Sequence, residues 1–300
     1  MDIRHLRYFL AVAEAGSMTR AAEALGMQQP PLSQQIMALE RELGVPLLRR
    51  HPKGVALTPA GQELRREAQH LVAGMTALQQ RMARIAQGLQ GVLDVAFTSS
   101  AAAHAFTPRL LRECRQRFPG IELRLSEHNA EDILDGMVAG RLHAGLLRVP
   151  VSHPPGIEML TLLTEPAVLA LPVGHPLVPD GRPRALPVAA LRDEGFILVR
   201  RPGAPGLYAN WLRLCEQAGF RPRIVAEVDR MMTNLNLVAA GAGVSVVPAS
   251  MSGAHPEAIV YCPIADGQAL SAPLTLAWRS SDAEGPLARL IDLSRELAQP

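Results

Sequence analysis

The stretch TRAAEALGMQQPPLSQQIMALEREL, residues 19–43, constrains the fold more than any other part of this chain. It predicts a short helix over Arg20–Leu25, a turn, and a second helix that starts at Pro30-Pro31. Ala21, Ala22 and Ala24 keep the first helix thin, so that another can cross it closely. Ser17 and Thr19 are both candidate N-caps, because either hydroxyl can accept from an orphan N–H. Gly26 supplies the left-handed residue that ends the helix. Pro is tolerated in the first turn of the second helix, where a fixed φ and a missing N–H cost little. Leu32, Ile36, Leu39 and Leu43 recur at 4, 3 and 4 and make one apolar face. Gln28, Gln29, Ser33, Gln34 and Gln35 are expected on the opposite, open face, beside Pro30 and Pro31. Gln can pair with adenine through two hydrogen bonds, and Ser can reach a base or a phosphate. The competing reading is an ordinary helical hairpin with a solvated polar face.

The flanks favour the DNA reading. Leu6, Phe9, Leu10 and Ala13 share one face of a preceding helix. Two short apolar runs, Leu47-Leu48 and Val55–Leu57, flank a basic Pro/Gly turn, as in a β-hairpin wing. Cations there, Arg50 and Lys53, can sit on the sugar-phosphate backbone. Residues 1–90 hold 11 Arg/Lys against 7 Asp/Glu, whereas the whole chain has a net charge of only +2. A basic N-terminal module therefore precedes a near-neutral body.

Thr58 can cap a further helix that begins at Pro59. From there Leu64, Ala68, Leu71, Met75, Leu78, Met82, Ile85 and Leu89 recur at alternating spacings of 4 and 3. Such a heptad seam normally faces a partner helix, so a homodimer with two dyad-related reading helices is expected. The alternative is one long helix packed on its own domain. Gly88 and Gly91 mark a hinge into the remaining chain.

Beyond residue 91 apolar strand-like runs alternate with helical segments, which predicts parallel sheets covered on both faces. Two such sets imply two lobes, with a ligand held between them. Ser99 and Ser100 follow the first strand, where hydroxyls and free N–H groups suit a carboxylate; capping alone is the other reading. Asn129 and Ala130 follow the second strand. Arg200, Arg201 and Pro202 come from the other lobe, and Arg can clamp a carboxylate through two hydrogen bonds, unless the pair is merely solvated. Met231 is an apolar wall residue or part of the core.

The run RHLRYFLAVAEAGSMTRAAEALGMQQPPLSQQIMALERELGVPLLRR, with LTPAG at 57–61, resembles the LysR-type transcriptional regulators. Phe9, Ser17, Ala21-Ala22, Gln29-Pro30, Leu32-Ser33, Leu39-Glu40, Leu43-Gly44 and Thr58 stand where that family's motif has them. Gln34 departs from it, since relatives often carry Arg there. The resemblance implies a winged helix-turn-helix at 1–58, a linker helix at 59–90 and an effector domain at 91–300. That domain would be an α/β pair of periplasmic-binding-protein-like lobes, one of about 91–163 plus 268–300 and the other of about 164–267. GRLHAGLL at 140–147 and LVAAGAGVSVVPAS at 237–250 resemble its segments, with His143 where relatives have Asp. FTSS at 97–100 and QPPLSQQI are similar to the regulators of aromatic-acid catabolism, in which a Ser after the first strand and a Thr after the second hold a carboxylate. Here the second position is Ala130, so Asn129 is the substitute. The resemblance implies double-stranded DNA and a small organic anion as partners, a homotetramer, RNA polymerase as a further contact, and no cofactor.

Other classes fit less well. The nine histidines form no HExxH or zinc-spaced cluster. Gly241-Ala242-Gly243 lacks the third glycine of a dinucleotide fingerprint. An exported solute-binding protein would leave the basic N-terminal module unexplained. MDIRHLRYF has no signal-peptide core, and Cys114, Cys215 and Cys262 read as buried thiols in a reducing compartment. The expectation is a cytoplasmic, non-enzymatic regulator without metal or membrane span.

Overall fold

In the computed structural model, the described residues are all except 53, 149–152, 200–205, 266–269 and 300. They divide into two units, Met1–Arg84 and Ile85–Pro300.

The first unit opens with α1 (Ile3–Ala15), α2 (Met18–Ala24) and α3 (Gln29–Leu43). Ser17 is the cap of α2, its hydroxyl accepting from Arg20 N–H, so α2 starts two residues earlier than expected and Thr19 lies inside it. Gly26 (φ +63°) and Gly44 (φ +69°) are left-handed, which lets the chain turn after α2 and α3. Phe9, Val12, Ala21, Leu32, Ile36 and Leu39 form the core. Leu43 does not join them: it is exposed, because the last turn of α3 runs past the core.

The wing is an antiparallel hairpin of β1 (Leu48–His51) and β2 (Gly54–Leu57), with Leu48 opposite Leu57 and Arg50 opposite Val55. Glu40 ties it to α3, with one carboxylate oxygen accepting from Leu47 N (2.7 Å) and Leu48 N (3.0 Å). The Thr58 hydroxyl donates to Pro46 O and accepts from Gly61 N at 3.0 Å, opening α4 (Pro59–Ala86). Gly61 sits so close to the wing that an added Cβ would lie 2.1 Å from the Leu47 carbonyl oxygen. Gly61→Ala must push α4 off the wing. It is expected to lower stability by about 1–3 kcal/mol, measured by urea unfolding; a wild-type midpoint would mean that the contact yields freely.

The heptad seam splits along α4. Leu64 packs on the core of its own unit and Ala68 is fully buried, so both are taken up within the protomer. Leu71, Met75, Leu78, Met82 and Ile85 are exposed, by 38–55%. Leu89 is not part of the seam, because the helix ends at Ala86.

The second unit begins with β3 (Gly91–Phe97), a one-turn α5 (Ser99–Ala102), α6 (Phe106–Arg117), β4 (Ile121–Glu127), α7 (Ala130–Val138) and β5 (Ala144–Arg148). The 16-residue β6 (Ile157–Pro172) follows, then β7 (Gly195–Val199), α8 (Gly206–Gln217), β8 (Arg223–Val228) and α9 (Met231–Ala239). β9 (Ser245–Pro248), β10 (Ile259–Pro263), β11 (Ser271–Arg279) and α10 (Gly285–Ala298) complete it. The sheets are mixed, not wholly parallel as expected. β3 pairs in parallel with β4 and β5, and β7 with β8, but β6, β9, β10 and β11 pair antiparallel. β6 serves both lobes. Its residues up to Pro166 pair with β11, and those from Ala167 onward pair with β9 and β10. Each lobe has an apolar cluster on either side of its strands, one pair built around Leu146 and Ile133, the other around Phe196 and Leu235.

His143 keeps a local role that suits its imidazole: Nδ1 accepts from the Asp94 N–H at 3.0 Å, and the His143 N–H donates to Asp94 O at 2.9 Å.

Candidate DNA-reading surface and effector cavity

At the start of α3, Gln28, Pro30, Pro31 and Gln34 are exposed, and Gln29 and Gln35 are half-buried. Ser33 is a correction. It follows Leu32 into the interior and is 8% exposed, its hydroxyl accepting from the Arg50 guanidinium at 2.9 Å. Ser33 therefore braces the wing cation instead of facing outward, while Arg50 itself stays exposed with further N–H donors to spare. Lys53 lies outside the described residues.

Between the lobes of the second unit is a cavity of about 100 Å³. Its wall includes Ser99, Ser100, Asn129, Ala130 and Met231, all expected from sequence, together with Thr98, His128, Arg148, Tyr208, Trp211 and Arg230, which were not. Arg200, Arg201 and Pro202 lie outside the described residues. The opening turns of α5, α7, α8 and α9 all border this space, through Ser99, Ala130, Leu207 and Met231. Helix starts present N–H groups and a partial positive charge.

The caps differ in what they leave open. Thr98 caps α5, its hydroxyl accepting from Ala101 N and lying 3.3 Å from the Ser100 hydroxyl. Ser100 is buried, and Ser99 is the more open of the two serines. Asn129 caps α7 by accepting from Asp132 N at 2.9 Å, which uses its carbonyl oxygen. Arg230 precedes α9 and makes no side-chain cap bond. It reaches instead to Glu127 of the other lobe, 3.4 Å away.

A buried ion pair, not legible in the sequence, lies at the wall of the cavity and is tied to the other lobe through Ser250. Arg148, at the end of β5, is bonded to Glu165 in β6, and their side chains are only 9% and 11% exposed. Arg148 also donates to Ala272 O (2.9 Å), Ser100 O (3.1 Å) and the Ser250 hydroxyl (3.2 Å). Glu165 accepts from Ser250 N (2.7 Å) and its hydroxyl (2.8 Å). Burial pulls the Arg148 pKa down, and the Glu165 charge opposes that shift. Burial also lowers His104, close to this pair, so its neutral form is favoured.

Two family models cover nearly all of this architecture. The helix-turn-helix region, residues 3–62, matches the bacterial regulatory helix-turn-helix protein model of the lysR family, and residues 86–299 match the LysR substrate binding domain. The chain belongs to the LysR family. It is a DNA-binding transcriptional regulator with an effector-binding domain, not an enzyme. Among relatives, the transcriptional regulator AlsR of Bacillus subtilis is 37% identical, with 96% of this chain and 93% of AlsR covered. TcbR of a Pseudomonas species is 33% identical, with 99% of this chain and 98% of TcbR covered or better, at 100% of each. The crystal structure of CbnR, a LysR family regulator, superposes with a TM-score of 0.85 at 32% identity, covering 98% of this chain and all of CbnR. CbnR in complex with its target DNA gives 0.81 at 31% identity, with both chains covered in full. No helix among the described residues is long and apolar enough to cross a membrane.

Proposed function

We propose that this LysR-family regulator acts in the cytoplasm as a homodimer, assembled further into a tetramer, and that a small organic anion in the interlobe cavity controls how it engages a dyad-symmetric promoter site and RNA polymerase. The observation that carries the anion is the convergence of four helix starts on one cavity; N–H groups and helix dipoles there favour negative charge. The exposed stripe of α4 supports the dimer, and the CbnR–DNA complex supports the mode of DNA engagement by likeness. Closure of the lobes around the ligand would re-aim the paired reading helices.

Gln28, Gln29, Gln34 and Gln35, flanked by Pro30 and Pro31, are the proposed groove-facing positions, with Arg50 and Lys53 on phosphate and Ser33 holding Arg50 in place. Arg50→Ala is expected to weaken binding to all sequences and reduce the slope of log affinity against log salt by about one. Gln34→Ala should leave that slope unchanged and cost about 1–3 kcal/mol of discrimination at one base pair. Salt titrations on operator and scrambled fragments separate the two, and an unchanged slope in Arg50→Ala would remove that residue from the backbone contacts.

Ser99→Ala is expected to raise the anion concentration needed for half-maximal transcription about ten-fold, the worth of one hydrogen bond to a charged group. Operator affinity without anion should stay at the wild-type value. An unaltered dose response would move the carboxylate contact away from α5.

A further inference from the structure

The fully buried donors without an acceptor among the described residues include the indole Nε1 of Trp211 and Nε of Arg148. Both residues line the interlobe cavity, Trp211 from α8 in one lobe and Arg148 from β5 in the other. Trp211 is fully buried and packs against Phe196, with ring centroids 5.0 Å apart, which holds the indole in one orientation. A buried N–H without a partner is costly, and its usual resolution is a bound water or a ligand. The other guanidinium nitrogens of Arg148 are already bonded to protein groups, so its Nε is the part of that side chain left to a guest.

We propose that Trp211 is a specificity-determining donor of the effector site, giving its indole N–H to an oxygen of the bound small carboxylate. This rests on the reading of the cavity as an anion site. It adds a requirement the helix starts do not impose: the ligand must carry an acceptor oxygen where it meets the wall formed by α8. An apolar group there would leave the N–H unpaired and would be rejected, as sites built around a hydrogen bond reject analogues that lack it.

The test uses the full-length protein labelled with 5-fluorotryptophan, which gives one ¹⁹F signal each for Trp211 and Trp278, assigned with Trp211→Phe and Trp278→Phe. Trp278 belongs to the core of the other lobe. The probes are acetate, pyruvate, succinate and benzoate, added singly, with melting temperature followed in parallel. The expected result is that a carboxylate that raises the melting temperature also shifts the Trp211 signal and leaves that of Trp278 in place. Trp211→Phe should bind the same carboxylate roughly ten-fold more weakly. A carboxylate that stabilises the protein at saturation without moving the Trp211 signal overturns the proposal and leaves the anion cavity standing. Failure of all four to stabilise the protein or move either signal overturns both. Because the spectrum is read on the unmutated sequence, the answer does not depend on how well Trp211→Phe folds.

Discussion

Glu165→Ala is expected to destabilise the effector-binding unit by about 3–5 kcal/mol, the usual cost of stripping one partner from a buried ion pair. The guanidinium of Arg148 would keep its bonds to Ala272 O and Ser100 O but lose the carboxylate bonded to it, in a place from which water is almost excluded. Ser250 would lose the acceptor for its N–H and hydroxyl at the same time. Both lobes are affected, because Arg148 ends a strand of one, Ser250 follows β9 of the other, and Glu165 sits in β6 next to the change of pairing partners at Pro166/Ala167. Calorimetry on the full chain should show a loss of roughly 10 °C in the transition of this unit. Glu165→Gln, which keeps an acceptor, should lose less. The pair Arg148→Met with Glu165→Leu removes both charges and should recover most of the stability, since apolar replacements of a buried pair are often neutral or better. A Glu165→Ala transition within 1 °C of wild type would show that water reaches Arg148 and that the pair contributes little.

What could be read from the chain in advance was local. Ser17, Gly26, Pro30-Pro31 and Gly44 mark the helix ends by their own chemistry, and Leu32, Ile36 and Leu39 declare their face by spacing alone. Ser33 did not, because its burial depends on Arg50, 17 residues away on the wing. β6 was hidden by Thr161, Thr164, Glu165 and Pro166, which interrupt the apolar run where the strand passes from one lobe to the other. The serines and Asn129 at the cavity were legible because a polar residue after a strand and before a helix has few places to go. Arg148 and Trp211 were not: one looks like a strand-end cation, the other like ordinary core, and only the fold brings them to the same wall. The seam was legible in its period but not in its division, since the docking of Leu64 and the end of α4 at Ala86 are matters of tertiary packing.

That division narrows the second large effect to the exposed part of α4. Leu71, Met75, Leu78, Met82 and Ile85 form a stripe of large apolar side chains open to water, and such contiguous exposure marks an interaction surface. Leu71, Met75 and Leu78 also border a groove of about 500 Å³ with Ile3 and Leu6 of α1, so a partner helix laid on the stripe would have an apolar bed beside it. Leu71→Glu with Leu78→Glu puts two charges into that contact, each facing a desolvation cost when a partner helix covers it. The double variant is expected to sediment at a lower mass than the wild type. Its affinity for a dyad operator should fall about 10²–10⁴-fold, because the second reading helix no longer acts at high effective concentration. Its affinity for an isolated half-site should not change, since both substituted residues are exposed and lie outside the helix-turn-helix core. Gln80→Glu, off the stripe on the same helix, controls for added charge. Retention of the wild-type mass by the Leu71/Leu78 variant would place the dimer contact elsewhere. Loss of half-site binding would instead mean that α4 supports the wing from within the protomer, as Leu64 and Gly61 already do.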